Sequence, residues 1–152
     1  MSSLDELNAH ARSGFAGILG LTITSVDEDS KTLTARWDIT ESVRNSEGQI
    51  HNGAVSSVAE TVASFAASLT APDGVTVVGV SNSMQFIDPT DRGHFTVTAE
   101  AVGNWDANSP VWRVVIISDE FGTMAEGTVR LQRIGDKSAR RRGGGQGRGA
   151  QN

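Results

Sequence analysis

The chain has 152 residues, no cysteine and a formal net charge of −5. This is one domain on length, large enough to bury a core without staples, and the missing thiols exclude disulfides, thiolate metal sites and a cysteine nucleophile. From Asp136 onward Lys137, Arg140, Arg141, Arg142 and Arg148 face a single acid. The tail therefore carries +4 and the rest, by difference from −5, carries −9. An acidic body argues against a nucleic-acid partner, since phosphate binding needs clustered Lys and Arg on a folded face.

The first residues, Met1 to Glu6, are polar and acidic, so no secretory signal is read. No run of about 18 apolar residues exists, and a cytoplasmic protein without a membrane partner is expected. Residues 4–19 have weak helical character, followed by Gly20. Residues 21–26 read as a strand, 27–31 (Asp-Glu-Asp-Ser-Lys) as a hairpin turn, and 32–40 as a second strand with Leu33, Ala35, Trp37 and Ile39 on one face. Residues 41–48 form a polar loop. A helix is predicted over 53–69, closed by Ala71-Pro72-Asp73-Gly74. Strands follow at 75–87, 94–102, 111–118 and 123–134, with turns at 88–93 and 119–122. Trp105 and Trp112 flank a loop that could cover an edge. The fold class is α+β: one long central helix wrapped by a roughly six-stranded antiparallel sheet. It is assigned to residues 1–135, and 136–152 are read as a disordered basic Arg/Gly-rich tail.

The predicted helix holds one ionisable residue, Glu60. A surface helix of a small domain normally carries several charges on its outer face. Here the polar positions are Ser57, Glu60, Ser64 and Ser68, a narrow stripe that suggests enclosure against a crevice or a partner subunit. An unpaired carboxylate, if buried, is disfavoured in its charged form and marks a candidate site. The plainer reading is a solvated glutamate at a helix turn. His51 lies at the helix start, where free N–H groups and the positive dipole end suit a developing oxyanion. On its own it reads as a loop or capping histidine. Asn52 and Gly53 can both adopt the unusual backbone angles of a sharp loop-to-helix junction. His10 and His94 are isolated and read as structural. No cluster has metal-ligand spacing.

The pattern His51-x-Gly53, Glu60, Ser64 on a β-β-α-β-β-β-β layout resembles the hotdog-fold acyl-CoA thioesterases. The branch it resembles has a helix glutamate: the Glu-type 4-hydroxybenzoyl-CoA thioesterase with its menaquinone-pathway and phenylacetate-pathway (PaaI-like) relatives. Val78-Gly79-Val80-Ser81-Asn82-Ser83 is similar to that family's strand after the helix. The resemblance implies hydrolysis of an acyl- or aryl-CoA thioester, with Glu60 as nucleophile or general base and no cofactor, coenzyme A being part of the substrate. It implies that the Asn52 N–H holds the thioester oxygen, that His51 supports this loop, that Asn45 lies near the thioester, and that Ser64 positions water or the carboxylate. Gly53, Ser81, Asn82 and Arg92 are then expected to bind substrate. The family assembles each site across a dimer, so a homodimer is the expected minimal unit and a homotetramer the expected assembly. Asn52 stands where the family has glycine, and Asp88 where many relatives have a basic residue. A hotdog dehydratase or hydratase, or a non-catalytic acyl-CoA-binding module, is the alternative.

Overall fold

A computed structural model describes residues 3–135. The basic segment read as a tail lies outside them. The elements run α1 (Leu4–Ala11), α2 (Gly14–Leu19), β1 (Leu21–Asp27), β2 (Thr32–Trp37), a 3₁₀ turn (Glu41–Val43), α3 (Asn52–Thr70), β3 (Thr76–Phe86), β4 (Phe95–Val102), β5 (Val111–Ser118) and β6 (Gly122–Ile134). The six strands form one antiparallel sheet in the order β1-β2-β4-β5-β6-β3. The expected α+β architecture is present, with α3 packed against β2, β3, β4, β5 and β6. It is the hotdog fold.

The core follows from two periodicities. Along α3 the buried residues Val55, Val58, Ala59, Val62, Ala63, Ala66 and Ala67 recur at helical spacing on one face. Four of the seven are alanines, which lets the sheet approach the helix axis closely. On the sheet, Leu33, Ala35 and Trp37 of β2, Phe95, Val97 and Ala99 of β4, and Trp112, Val114 and Ile116 of β5 point at α3 and are buried. The Trp37 indole N–H donates to the Leu19 carbonyl at 2.7 Å, tying α2 to the sheet. Trp112 is fully buried core rather than an edge cover. Trp105 lies in the β4–β5 loop with the Lys31 ammonium 4.5 Å from its ring centroid.

Three differences from the sequence reading have simple causes. The weakly helical N-terminal stretch is two short helices. Ser3 and Glu6 start the first by reciprocal side-chain-to-backbone bonds, and Gly20, at φ 84°, ends the second. The second strand stops at Trp37, three residues early, where the chain turns toward the 3₁₀ segment. The helix is not enclosed within one chain: Ser57, Glu60 and Ser64 are half-buried and Ser68 is exposed.

Candidate active site

The loop before α3 is closed by its own side chains. Asn45 N–H donates to the Gln49 carbonyl at 2.8 Å, and the Asn45 side-chain oxygen accepts from the amides of Glu47 and Gln49, both at 3.0 Å. The Asn45 side-chain carbonyl thus builds the turn. His51 caps the helix: its Nδ1 accepts from the Gly53 N–H at 2.8 Å, one of the first-turn donors that lack an intrahelical acceptor. The same contact explains Gly53. A Cβ there would lie 2.8 Å from Nδ1, so the imidazole closes over a residue with no side chain. Neither Asn52 nor Gly53 has a positive φ. The expected unusual backbone at this junction is absent, and Asn52 sits in the first turn with helical geometry. Its N–H has no acceptor among the described residues.

Asn45, His51 and Asn52 line one cavity of about 350 Å³, shared with Phe86 and Asp88. Glu60 lies elsewhere. It opens into a second, largely apolar cavity of about 420 Å³, with Ser64, Phe65, Ser68 and Leu69 of α3 and Leu7 and His10 of α1. Ser57 and Thr61 spend their hydroxyls on the helix carbonyls four residues back, each at 2.7 Å. Ser64, Ser68 and the His10 imidazole make no side-chain hydrogen bond among the described residues, so their polar groups are available in this cavity. Glu60 lies eight positions after Asn52, about 12 Å along the helix axis.

Strand β3 runs beside Glu60. The Asn82 Nδ2 donates to the Ser56 carbonyl at 2.9 Å and to Glu60 Oε2 at 3.4 Å. A Cβ on Gly79 would overlap the Glu60 carboxylate. Ser81 pairs in register with the exposed Arg130, so it stands on the sheet face away from α3. Arg92 lies in the exposed loop before β4, 4.0 Å from Asp91, and lines neither cavity. The structure thus brings Glu60, Ser64 and Asn82 together, groups Asn45, His51 and Asn52 at the helix start, and leaves Ser81 and Arg92 apart. Two residues near Glu60 escaped the sequence reading as site residues. His10 carries no local signal, because α1 reaches α3 only through the tertiary fold. Gly79 carries one, since a glycine inside a strand marks a bulge or a close approach. Among the described residues no three His, Asp or Glu side chains gather as a metal site requires.

Comparison with known proteins matches the chain to a family. The family described as the Thioesterase superfamily matches residues 47–125, from the turn before α3 into β6. A candidate esterase of Mycobacterium tuberculosis is 30% identical over 123 residues, covering 79% of this chain and 86% of that protein. A thioesterase structure from Haemophilus influenzae superposes with a TM-score of 0.79 at 26% identity, covering 89% of this chain and 92% of the other. The Escherichia coli PaaI protein from the phenylacetic acid degradation operon superposes with a TM-score of 0.69 at 26% identity, covering 88% and 98%. The chain belongs to the thioesterase superfamily and is a thioester hydrolase of the hotdog fold. No helix among the described residues is long and apolar enough to cross a membrane.

Proposed function

We propose that this chain hydrolyses an acyl-CoA thioester to the free acid and CoA, at a site completed by a second copy of itself. The observation that carries this reading is the separation just described. Attack needs the reacting atoms about 3–3.5 Å apart, whereas Glu60 is about 12 Å along the axis from the Asn52 N–H of its own helix. A thioester whose oxygen accepts from the Asn52 N–H of one copy meets the Glu60 of another when two α3 helices lie side by side and antiparallel. The exposed β3 edge and the half-open polar stripe of α3 are the surfaces such a pairing joins.

In this arrangement the helix start stabilises the oxyanion as the thioester carbon becomes tetrahedral. Glu60 either accepts a proton from the attacking water, or adds to the carbon itself to give an anhydride that water then opens. The C–S bond breaks in both routes, the sulfur leaving as thiolate and taking up a proton. Ser64, one helical turn from Glu60, is placed to orient the water. The acyl group occupies the cavity between α1 and α3, since that is the space contiguous with the carboxylate. No cofactor enters these steps. Glu60→Ala, assayed by thiol release over aryl, short-chain and long-chain CoA esters, should lose at least about 10²-fold in kcat for every ester turned over. Unchanged turnover in that variant overturns the assignment.

A further inference from the structure

The β3 bulge is the feature that the proposed reaction leaves unexplained. Gly79 pairs with Leu131 and Ser81 with Arg130, so Val80 is an extra residue in the strand. In an unbroken strand, residues 79 and 82 point to opposite faces, because side chains alternate. One inserted residue cancels that alternation. Gly79 and Asn82 therefore face α3 together, Asn82 pairing in register with the buried Val129 as Gly79 does with the buried Leu131. Both meet the same group. The absent Cβ of Gly79 leaves the volume that the Glu60 carboxylate fills. Asn82 Nδ2 spans the Ser56 carbonyl at 2.9 Å and Glu60 Oε2 at 3.4 Å. In a regular helix the Ser56 carbonyl is also the acceptor for the backbone N–H of Glu60, so one amide grips both the backbone turn and the side chain of a single residue.

We propose that Gly79 and Asn82, brought to one face by the Val80 bulge, form a clamp that positions the Glu60 carboxylate for attack. The proposal rests on the reading of Glu60 as the reacting group. It makes Asn82 a positioning residue rather than the substrate-binding residue expected from the sequence. The titratable group facing Glu60 from another element is His10 of α1, in the same cavity; β3 contributes only the neutral Gly79 and Asn82.

Two measurements test the clamp. The first is a kcat-against-KM split with a pH profile. Asn82→Ala should lower kcat by about 10²-fold, the scale of a misplaced reacting group, with KM little changed. Asn82→Asp sets a second carboxylate against the first, which disfavours ionisation of both, and should move the acid limb of kcat to higher pH. A raised KM with unchanged kcat, or an unmoved acid limb, returns Asn82 to substrate binding and overturns the clamp. The second measurement needs no activity. Gly79→Ala should lower Tm in the wild-type background and cost measurably less in Glu60→Ala, where the overlapping carboxylate is gone. Equal losses in the two backgrounds overturn the contact. The outcomes separate cleanly: a fully active Glu60→Ala removes the catalytic reading, whereas an inactive Glu60→Ala with no Gly79 coupling removes only the clamp.

Discussion

At the scale of single residues, the site is built from side chains that satisfy backbone groups. His51 is the plainest case. Accepting a hydrogen bond at Nδ1 fixes the neutral ring as the tautomer protonated at Nε2, so the imidazole acts as a helix cap. His51→Ala should lower the unfolding free energy by about 1 kcal/mol, the usual cost of a lost N-cap, read from urea denaturation. His51→Asn should recover most of it, because asparagine is among the best capping residues. Failure of asparagine to restore stability would show that the imidazole stabilises through packing alone. The His-x-Gly spacing seen in the sequence thus has a steric meaning: the glycine lies under the ring that caps it. At Asn52 the helical backbone makes no demand for glycine.

At the scale of elements, the strands were legible wherever one face is buried and the other solvated. Leu33, Ala35 and Trp37 or Phe95, Val97 and Ala99 alternate in sequence as they do in the sheet. The order of strands was not legible, because β3 follows α3 in the chain yet lies at the far end of the sheet beside β6. That placement is decided by long-range packing, not by any local pattern. The bulge at Val80 was legible only as a hint, the glycine at position 79 inside a strand, because its place is fixed by the register against β6. Strand β1, at the opposite edge, shows how a distant residue completes an element. The buried Asn8 of α1 donates to the Ile23 carbonyl at 2.9 Å and accepts from the Ile23 N–H at 2.7 Å, standing in for a neighbouring strand where β1 itself is irregular. A buried asparagine answering one residue's backbone across 15 positions leaves no trace in periodicity. Asn8→Leu removes both partners of Ile23 and should cost about 1–3 kcal/mol per group left unpaired and buried. Thermal and urea unfolding together with amide exchange at Ile23 would check this, and unchanged protection at Ile23 would refute it.

At the scale of the whole molecule, the decisive feature is that one copy does not converge its candidate groups. The stripe of Ser57, Glu60, Ser64 and Ser68 was legible as a polar helix face with a single ionisable group. In the single chain Ser57, Glu60 and Ser64 stay half-buried and Ser68 exposed. Along β3, Val78, Val80 and Phe86 are 38%, 58% and 46% exposed, on an 11-residue edge strand that among the described residues pairs only with β6. Such an edge is a template for pairing with another chain. A two-fold pairing makes a specific demand, since each site then takes Glu60 from one copy and the Asn52 N–H from the other. Asn52→Pro tests the second half. Asn52 is the first helical residue, a position where proline is favoured, and the preceding His51, at φ −69° and ψ 131°, already has the extended backbone that a following proline requires. The substitution therefore deletes one N–H while leaving the helix intact. Asn52→Pro and Glu60→Ala should each be inactive as homodimers. Unfolded and refolded together, they should regain activity, because a mixed dimer holds one site with both groups native and one with neither. Recovery on mixing separates a site shared between copies from one contained in a single chain, for which two defective chains stay inactive in any combination.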